Sequence, residues 1–272
     1  MDLATSLAAL PAMPYSFSVL FVRARRPSPI PRMTGYPFDT FGPEHWTYLV
    51  ALAFIWTGVV WAGRVVLGPR GQRRMVLVLA VVTLGQELVD DLIRAPRGVW
   101  ELNDDLPLHL CSLAMLVGVW ALLTKRQRVF EVAYYWGLAA ASQALITPDN
   151  SRWQLGELDV FWNFLSHGIV VLNVLWLVFV EGMRCRPGSW WRVFLITNVA
   201  LIPIGIINLA IGANYFFICR KPGGSSPFLV GEWPWYILGF EVLALAFFWV
   251  FSLPMSWEAR KARTRPALPA EA

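Results

Sequence analysis

Cys111 and His109 stand in the string Leu106-Pro107-Leu108-His109-Leu110-Cys111-Ser112-Leu113, at the opening of an apolar run. A lone thiol in such a place is usually a small buried hydrophobe; beside histidines in one pocket it is also a candidate nucleophile. As thiolate it attacks an acyl ester, a histidine moves the proton, and neighbouring Asn or Ser donors hold the oxyanion. The thiol falls near the first turn of the expected helix, where the positive end of the helix dipole favours thiolate. His109 and Cys111 are two residues apart, so on a regular helix they point about 200° from each other. They do not make a base–nucleophile pair within that helix. The base is expected from another span, His167 first and His45 second. The candidate catalytic set is therefore Cys111, His167 and His109, with His109 facing a different wall.

Other polar residues repeat at helical spacing within apolar stretches. Glu87, Asp90 and Asp91 are spaced i, i+3, i+4; Asn163, Ser166, His167 and Asn173 form a second stripe; Gln143 and Thr147 form a third. A charge at membrane depth costs about 2.5–3.5 kcal/mol on insertion scales, so such groups should face the bundle interior or a wet cavity. One outward-opening pocket is expected from Glu87, Asp90, Gln143, Asn163, Ser166, Asn208, Asn214 and His45. The competing explanation is structural. Gln143, Asn163, Ser166 and Asn208 would then be interhelical bonds worth about 0.6–2 kcal/mol each, and Asp90, Asp91 and Glu241 would be solvated at the interface.

The elements that position these residues are membrane helices. The 272-residue chain is 57% hydrophobic and 15% charged, against about 45–50% and about 25% in soluble domains. Its apolar blocks are long enough to cross a hydrocarbon core of about 30 Å. Seven spans are predicted: Trp46 to Leu67, Met75 to Ile93, Leu106 to Leu123, Val129 to Ile146, Leu158 to Val180, Trp190 to Ile211 and Trp235 to Leu253. The fold class is all-α, a polytopic membrane protein of seven transmembrane helices in one bundle. Pro203 predicts a kink near Asn198 to Ile202.

Arg64, Arg70, Arg73, Arg74, Lys125, Arg126, Arg128, Arg184, Arg186, Arg192 and the Arg260–Arg265 tail fall on one side of this arrangement. Most loop acids, among them Glu101, Asp104, Asp105, Asp149, Glu157, Asp159 and Glu232, fall on the other. The positive-inside rule puts the N-terminus outside and the C-terminus in the cytoplasm of a multi-pass cell-membrane protein. The net charge of +5 then reflects topology and anionic headgroups, and no nucleic-acid partner is expected. Residues 1–37 read as a disordered or wrongly assigned arm, with Met33 an alternative start. Residues 38–256 form the membrane domain and 257–272 a basic tail.

Cys111, Cys185 and Cys219 lie far apart without CxxC spacing, which gives no disulfide framework and no zinc-finger signal. No P-loop, dinucleotide glycine pattern or nucleophile elbow occurs, and no cofactor is expected. A metal-dependent hydrolase would need His45, His109 and His167 with Glu87 or Asp90 as N/O ligands, but the histidines lack HExxH-type spacing. A transporter or membrane assembly factor is the remaining alternative.

Four strings carry a family resemblance: Leu106 to Cys111; Gln143-Ala144-Leu145-Ile146-Thr147-Pro148-Asp149; Phe164-Leu165-Ser166-His167-Gly168; and Asn214-Tyr215 followed by Lys221-Pro222. Over roughly Phe38 to Phe251 the chain resembles the YwaF-like bacterial integral membrane proteins, related to the animal transmembrane-protein-164 group. The animal relatives are described as acyltransferases that move a fatty acyl chain onto lysophospholipids through a membrane cysteine. The resemblance implies that Cys111 is that cysteine and that membrane phospholipid is the partner.

Overall fold

The computed structural model describes residues 37–150, 153–221 and 231–264, with side chains described to residue 256. Inter-residue contacts divide the chain into Met1–Pro31 and Arg32–Ala272, and the described residues all belong to the second unit. The N-terminal arm, the alternative start at Met33 and the side chains of the basic tail lie outside them.

No strand occurs among the described residues. Helix α1 is Pro43–Trp61 and continues as a π-helical turn, Ala62–Val66; α2 is Pro69–Arg94. Each begins with proline in its first turn after an extended glycine, where the missing N–H costs nothing. Helix α3 is Leu110–Thr124, closed by Lys125 in the left-handed region at φ 51°. Helix α4, Gln127–Trp136, passes through a π turn at Gly137–Ala141 into the short α5, Ser142–Ile146. Helix α6 is Glu157–Phe179, α7 is Ser189–Ile211, and α8 is Trp235–Thr264. Gly212, at φ 70°, ends α7 in the conformation glycine adopts most easily.

Four helical runs are long and apolar enough to cross a membrane: Pro43–Val66, Glu157–Phe179, Ser189–Ile211 and Trp235–Ser256. The protein is thus an all-helical membrane protein. Helix α2 has arginines at one end and carboxylates at the other, α3 has only 15 residues, and the π turn splits α4 from α5. These three legs fall short of the same measure. Helix α6 is the axis of the bundle: 61% of its apolar window is buried, against 6–17% in the other three runs. Helices α3 and α4 supply fully buried Ala114, Leu122, Phe130 and Ala133 to the same core. By contrast Leu77, Val81, Leu88 and Leu92 of α2, and Val199, Ile206 and Leu209 of α7, are exposed. Such outward apolar surface is stable against acyl chains.

Close approach fixes α1 against α6. A Cβ on Gly63 would meet the Trp176 ring at 2.6 Å, and the Trp56 indole N–H donates to the Gly168 carbonyl at 2.9 Å.

Several elements differ from the sequence expectation; α1 and α2 begin earlier, at Pro43 and Pro69 instead of Trp46 and Met75. The third helix starts at Leu110, not Leu106. His109 is extended at φ −70°, ψ 156°, and the Leu106 N–H donates to the Tyr215 hydroxyl at 3.1 Å instead of entering a helix. The fourth leg is not one regular helix, because the π turn interrupts it. Helix α8 continues past Leu253 and through Pro254 to Thr264. Helix α7 runs uninterrupted across 198–202 with Pro203 in its interior.

Candidate functional site

The end of α2 and the first half of α6 enclose a polar cavity of about 170 Å³. Asp90 and Arg94 are one turn apart on α2, and Arg94 Nε donates to Asp90 Oδ2 at 2.9 Å. The Arg94 Nη2 donates across to Asp159 Oδ1 of α6. Asp159 sits in the first turn of α6, where the helix dipole favours a carboxylate, and its Oδ2 accepts the Leu155 N–H at 2.5 Å. The Arg94 side chain is 15% exposed and that of Asp159 1%. This ion pair ties α2 to α6 beside the cavity.

Of the expected pocket residues, Glu87, Asp90, Asn163 and Ser166 line this cavity. Gln86, Arg94, Asp159, Trp153 and Trp162 complete it. Sequence reasoning had counted Arg94 and Asp159 among the loop charges, Arg94 because its span was drawn to Ile93 and Asp159 because it stands beside Glu157 at the very start of a span. The signal was present in the i, i+4 pairing of Asp90 with Arg94. Gln86 donates to Glu87 Oε2 at 3.4 Å and to the Thr83 carbonyl at 3.2 Å.

The other expected residues lie outside the lining. His45 is fully buried. Its Nδ1 accepts the Phe41 N–H at 2.8 Å, and its Nε2–H donates to the Leu145 carbonyl at 2.7 Å. Nε2 thus fastens α1 to α5, while Nδ1 holds the turn that leads into α1. Gln143 belongs to α5, where its carbonyl accepts the Thr147 N–H at 2.8 Å. Asn208 grips Tyr215 twice: its Nδ2 donates to the Tyr215 carbonyl and its Oδ1 accepts the Tyr215 N–H, both at 2.9 Å. Asn214 Oδ1 accepts the backbone N–H groups of Cys219 and Arg220 at 3.1 and 2.9 Å.

The loop after α7 thereby reaches the start of α3. The Tyr215 hydroxyl donates to the Leu102 carbonyl at 2.8 Å while accepting the Leu106 N–H. The His109 ring packs against Tyr215 and Phe217, with centroids 5.0 and 5.2 Å apart. Cys111 is a free, half-buried thiol in the first turn of α3, and it does not line the cavity.

His167 follows the cavity residue Ser166 on α6. Its Nδ1 lies 2.7 Å from the Asn163 carbonyl. A carbonyl only accepts, so Nδ1 carries the proton and the neutral ring keeps its lone pair on Nε2. That is the tautomer a base needs. Among the described residues no group of three His, Cys, Asp or Glu side chains is placed to hold a metal ion, so the hydrolase alternative has no ligand set there.

Further along the α2–α6 contact, Asn173 Nδ2 donates to Thr83 Oγ1 at 2.9 Å, and both residues are almost fully buried. At the opposite end, Glu131 binds the Arg186 guanidinium through both oxygens at 2.8 Å and accepts the Arg186 N–H at 2.9 Å. Next to it Cys185 is buried in the loop before α7. Burial, with Glu131 close by, pushes its thiol up to about 12.

The profile of the TMEM164 family matches residues 40–252, well over half of the chain. An uncharacterized protein of Treponema pallidum (strain Nichols) is 28% identical over 126 residues, covering 44% of this chain and 50% of that protein. The chain thus spans about half the length of this curated relative. No solved structure matches. With its apolar helices and a family match running from α1 into α8, the chain belongs to the TMEM164 family of membrane proteins.

Proposed function

We propose that this protein is a multi-pass cell-membrane acyltransferase that carries a fatty acyl chain on Cys111 between phospholipids. The observation that carries the proposal is the placement of Cys111. It is a free thiol in the first turn of an apolar helix, and α3 packs against both helices that build the cavity. The fixed tautomer of His167 supports its role as the base.

In the first half-reaction the Cys111 thiolate attacks the ester carbonyl of a donor phospholipid. The ester C–O bond breaks, the departing alkoxide takes a proton from the protonated histidine, and a thioester remains. In the second, the hydroxyl of a lysophospholipid gives its proton to the histidine and attacks the thioester, and the thiolate leaves. His109, packed on Tyr215 and Phe217, holds the entrance to α3. Within the TMEM164 family, the YwaF-like bacterial branch is the proposed home of this chain.

The topology that goes with this reading has seven spans. The three legs α2, α3 and α4–α5 cross the membrane together with the four long apolar runs. The N-terminus is outside and the C-terminus cytoplasmic, with residues 38–256 as the membrane domain between the arm and the basic tail. Charge supports it. Exposed Arg64, Arg70, Arg73, Arg74, Lys125, Arg126 and Arg128 gather at one end, and the Asp90–Arg94–Asp159 cavity lies at the other.

The test is acyl transfer by the purified full chain from a radiolabelled phospholipid to a lysophospholipid. Turnover is expected in the wild type and lost in Cys111→Ala and Cys111→Ser. Full turnover in both variants would remove the cysteine from the mechanism. A transport reading draws support from the buried Thr83–Asn173 pair, because Asn173 Oδ1 has no hydrogen-bond partner. Solute-driven flux in proteoliposomes that survives Cys111→Ala would favour it.

A further inference from the structure

Helix α2 is divided along its length as well as around it. Its buried residues Val76, Leu79, Ala80, Thr83 and Gln86 lie on one side. The opposite side starts with Arg70, Arg73 and Arg74, spaced i, i+3, i+4 and all exposed. The same face continues through Leu77, Val78, Val81, Leu84, Leu88 and Leu92, again all exposed. No acid stands in the first turn of α2, and the first one along the helix is Glu87. Among the described residues none of the three guanidinium groups has a hydrogen-bond or ion-pair partner. They sit at the positive end of the helix dipole, and like charges one turn apart repel. Gln72 Nε2 donates to the Gly63 carbonyl at 2.8 Å, which ties this end of α2 to the π turn that carries exposed Arg64. Four positive charges on one tied bend thus have no counter-charge among the described residues, and an apolar track runs away from them. The track over residues 77–92 is about 22 Å long, more than one leaflet's half of a hydrocarbon core of about 30 Å. A Cβ on Gly85 would meet nothing within 4 Å, which leaves a notch in the track.

We infer that this face of α2 binds one anionic phospholipid, with its phosphate among Arg70, Arg73 and Arg74 and an acyl chain along residues 77–92. Charge selects the headgroup: a zwitterionic lipid would bring its own ammonium group to the arginines, and an anionic one does not. The apolar track selects a lipid over a soluble anion. Arg73 stands about 25 Å along the helix axis from Asp90 in the polar cavity. The bound lipid is therefore a fixed partner of the fold at the far end of α2, and it requires no thioester.

Native mass spectrometry of the delipidated full chain, released from detergent, tests the inference with phosphatidylglycerol and phosphatidylcholine of the same chains. Both are used in ether-linked form, so acyl transfer cannot consume them. Phosphatidylglycerol should bind about tenfold or more tighter than phosphatidylcholine. Arg73→Gln should weaken phosphatidylglycerol by about fivefold. Arg70→Gln, Arg73→Gln and Arg74→Gln combined should bring it down to the level of phosphatidylcholine, and the single variant answers the question should the triple one not fold. Arg126→Gln, exposed in the turn between α3 and α4, should leave phosphatidylglycerol binding unchanged. Equal affinity for the two lipids, unchanged affinity in Arg73→Gln, or an equal loss in Arg126→Gln would overturn the inference.

Discussion

Replacing Asp159 by asparagine tests how much the Arg94 bridge contributes to holding α2 on α6. The substitution keeps the side-chain shape and an oxygen for the Leu155 N–H, so the change is confined to the charge facing Arg94. Breaking a buried ion pair by removing one partner costs about 3–5 kcal/mol, because the other charge is left uncompensated. Arg94 is 15% exposed and retains Asp90 at 2.9 Å, so the lower end, about 3 kcal/mol, applies. For a chain of this size about 1 kcal/mol moves the melting temperature by about 2–4 °C, giving an expected loss of about 6–12 °C. Thermal unfolding of the full chain in detergent measures it. Arg94→Met combined with Asp159→Asn should lose less than the sum of the single variants, with a coupling above about 1 kcal/mol. A melting temperature for Asp159→Asn within about 2 °C of the wild type, or strict additivity in the cycle, would refute the bridge.

Other expectations follow from the same geometry. Gly63→Ala drives a methyl into the buried Trp176 ring, and the overpacking should cost about 1–3 kcal/mol in the same unfolding assay. Tyr215→Phe removes the hydroxyl that links Leu102 and Leu106. It should cost about 1–3 kcal/mol and speed alkylation of Cys111, measured by mass spectrometry, as the lead-in to α3 loosens. Cys185 has its thiol raised above the ordinary value of 9.0 to about 12, mainly by burial. It should therefore resist a polar maleimide at pH 8 while Cys219 reacts. The unfolded chain loses that proton first, so this group's contribution lowers stability as pH rises through 9 towards 12.

The membrane class was legible from composition and block length, because lipid imposes a constraint that the average residue reveals. Helix α6 was located to within one residue at each end, since its apolar run is bounded by acids and by Glu181-Gly182. The start of α3 was misplaced by four residues. The bond that holds Leu106 out of the helix comes from Tyr215, more than a hundred positions away, and no local pattern carries it. Half of the cavity was readable: Glu87, Asp90, Asn163 and Ser166 share helical faces, and their insertion cost points them inward. Arg94 and Asp159 were missed because charge at a span end reads as a loop until a partner on another helix is known. His45, Asn208 and Asn214 show the opposite effect. Their polarity suggested a pocket, and the structure uses their bonds to fasten α1 to α5, the post-α7 loop to α7, and that loop to itself.

Mass spectrometry of the peptide containing Cys111, after the purified chain has been incubated with donor phospholipid and no acceptor, tests the central claim most directly. The account predicts a fatty acyl mass on Cys111 that hydroxylamine removes and that a lysophospholipid discharges into diacyl product. An unmodified Cys111 while the same preparation transfers acyl chains would contradict it.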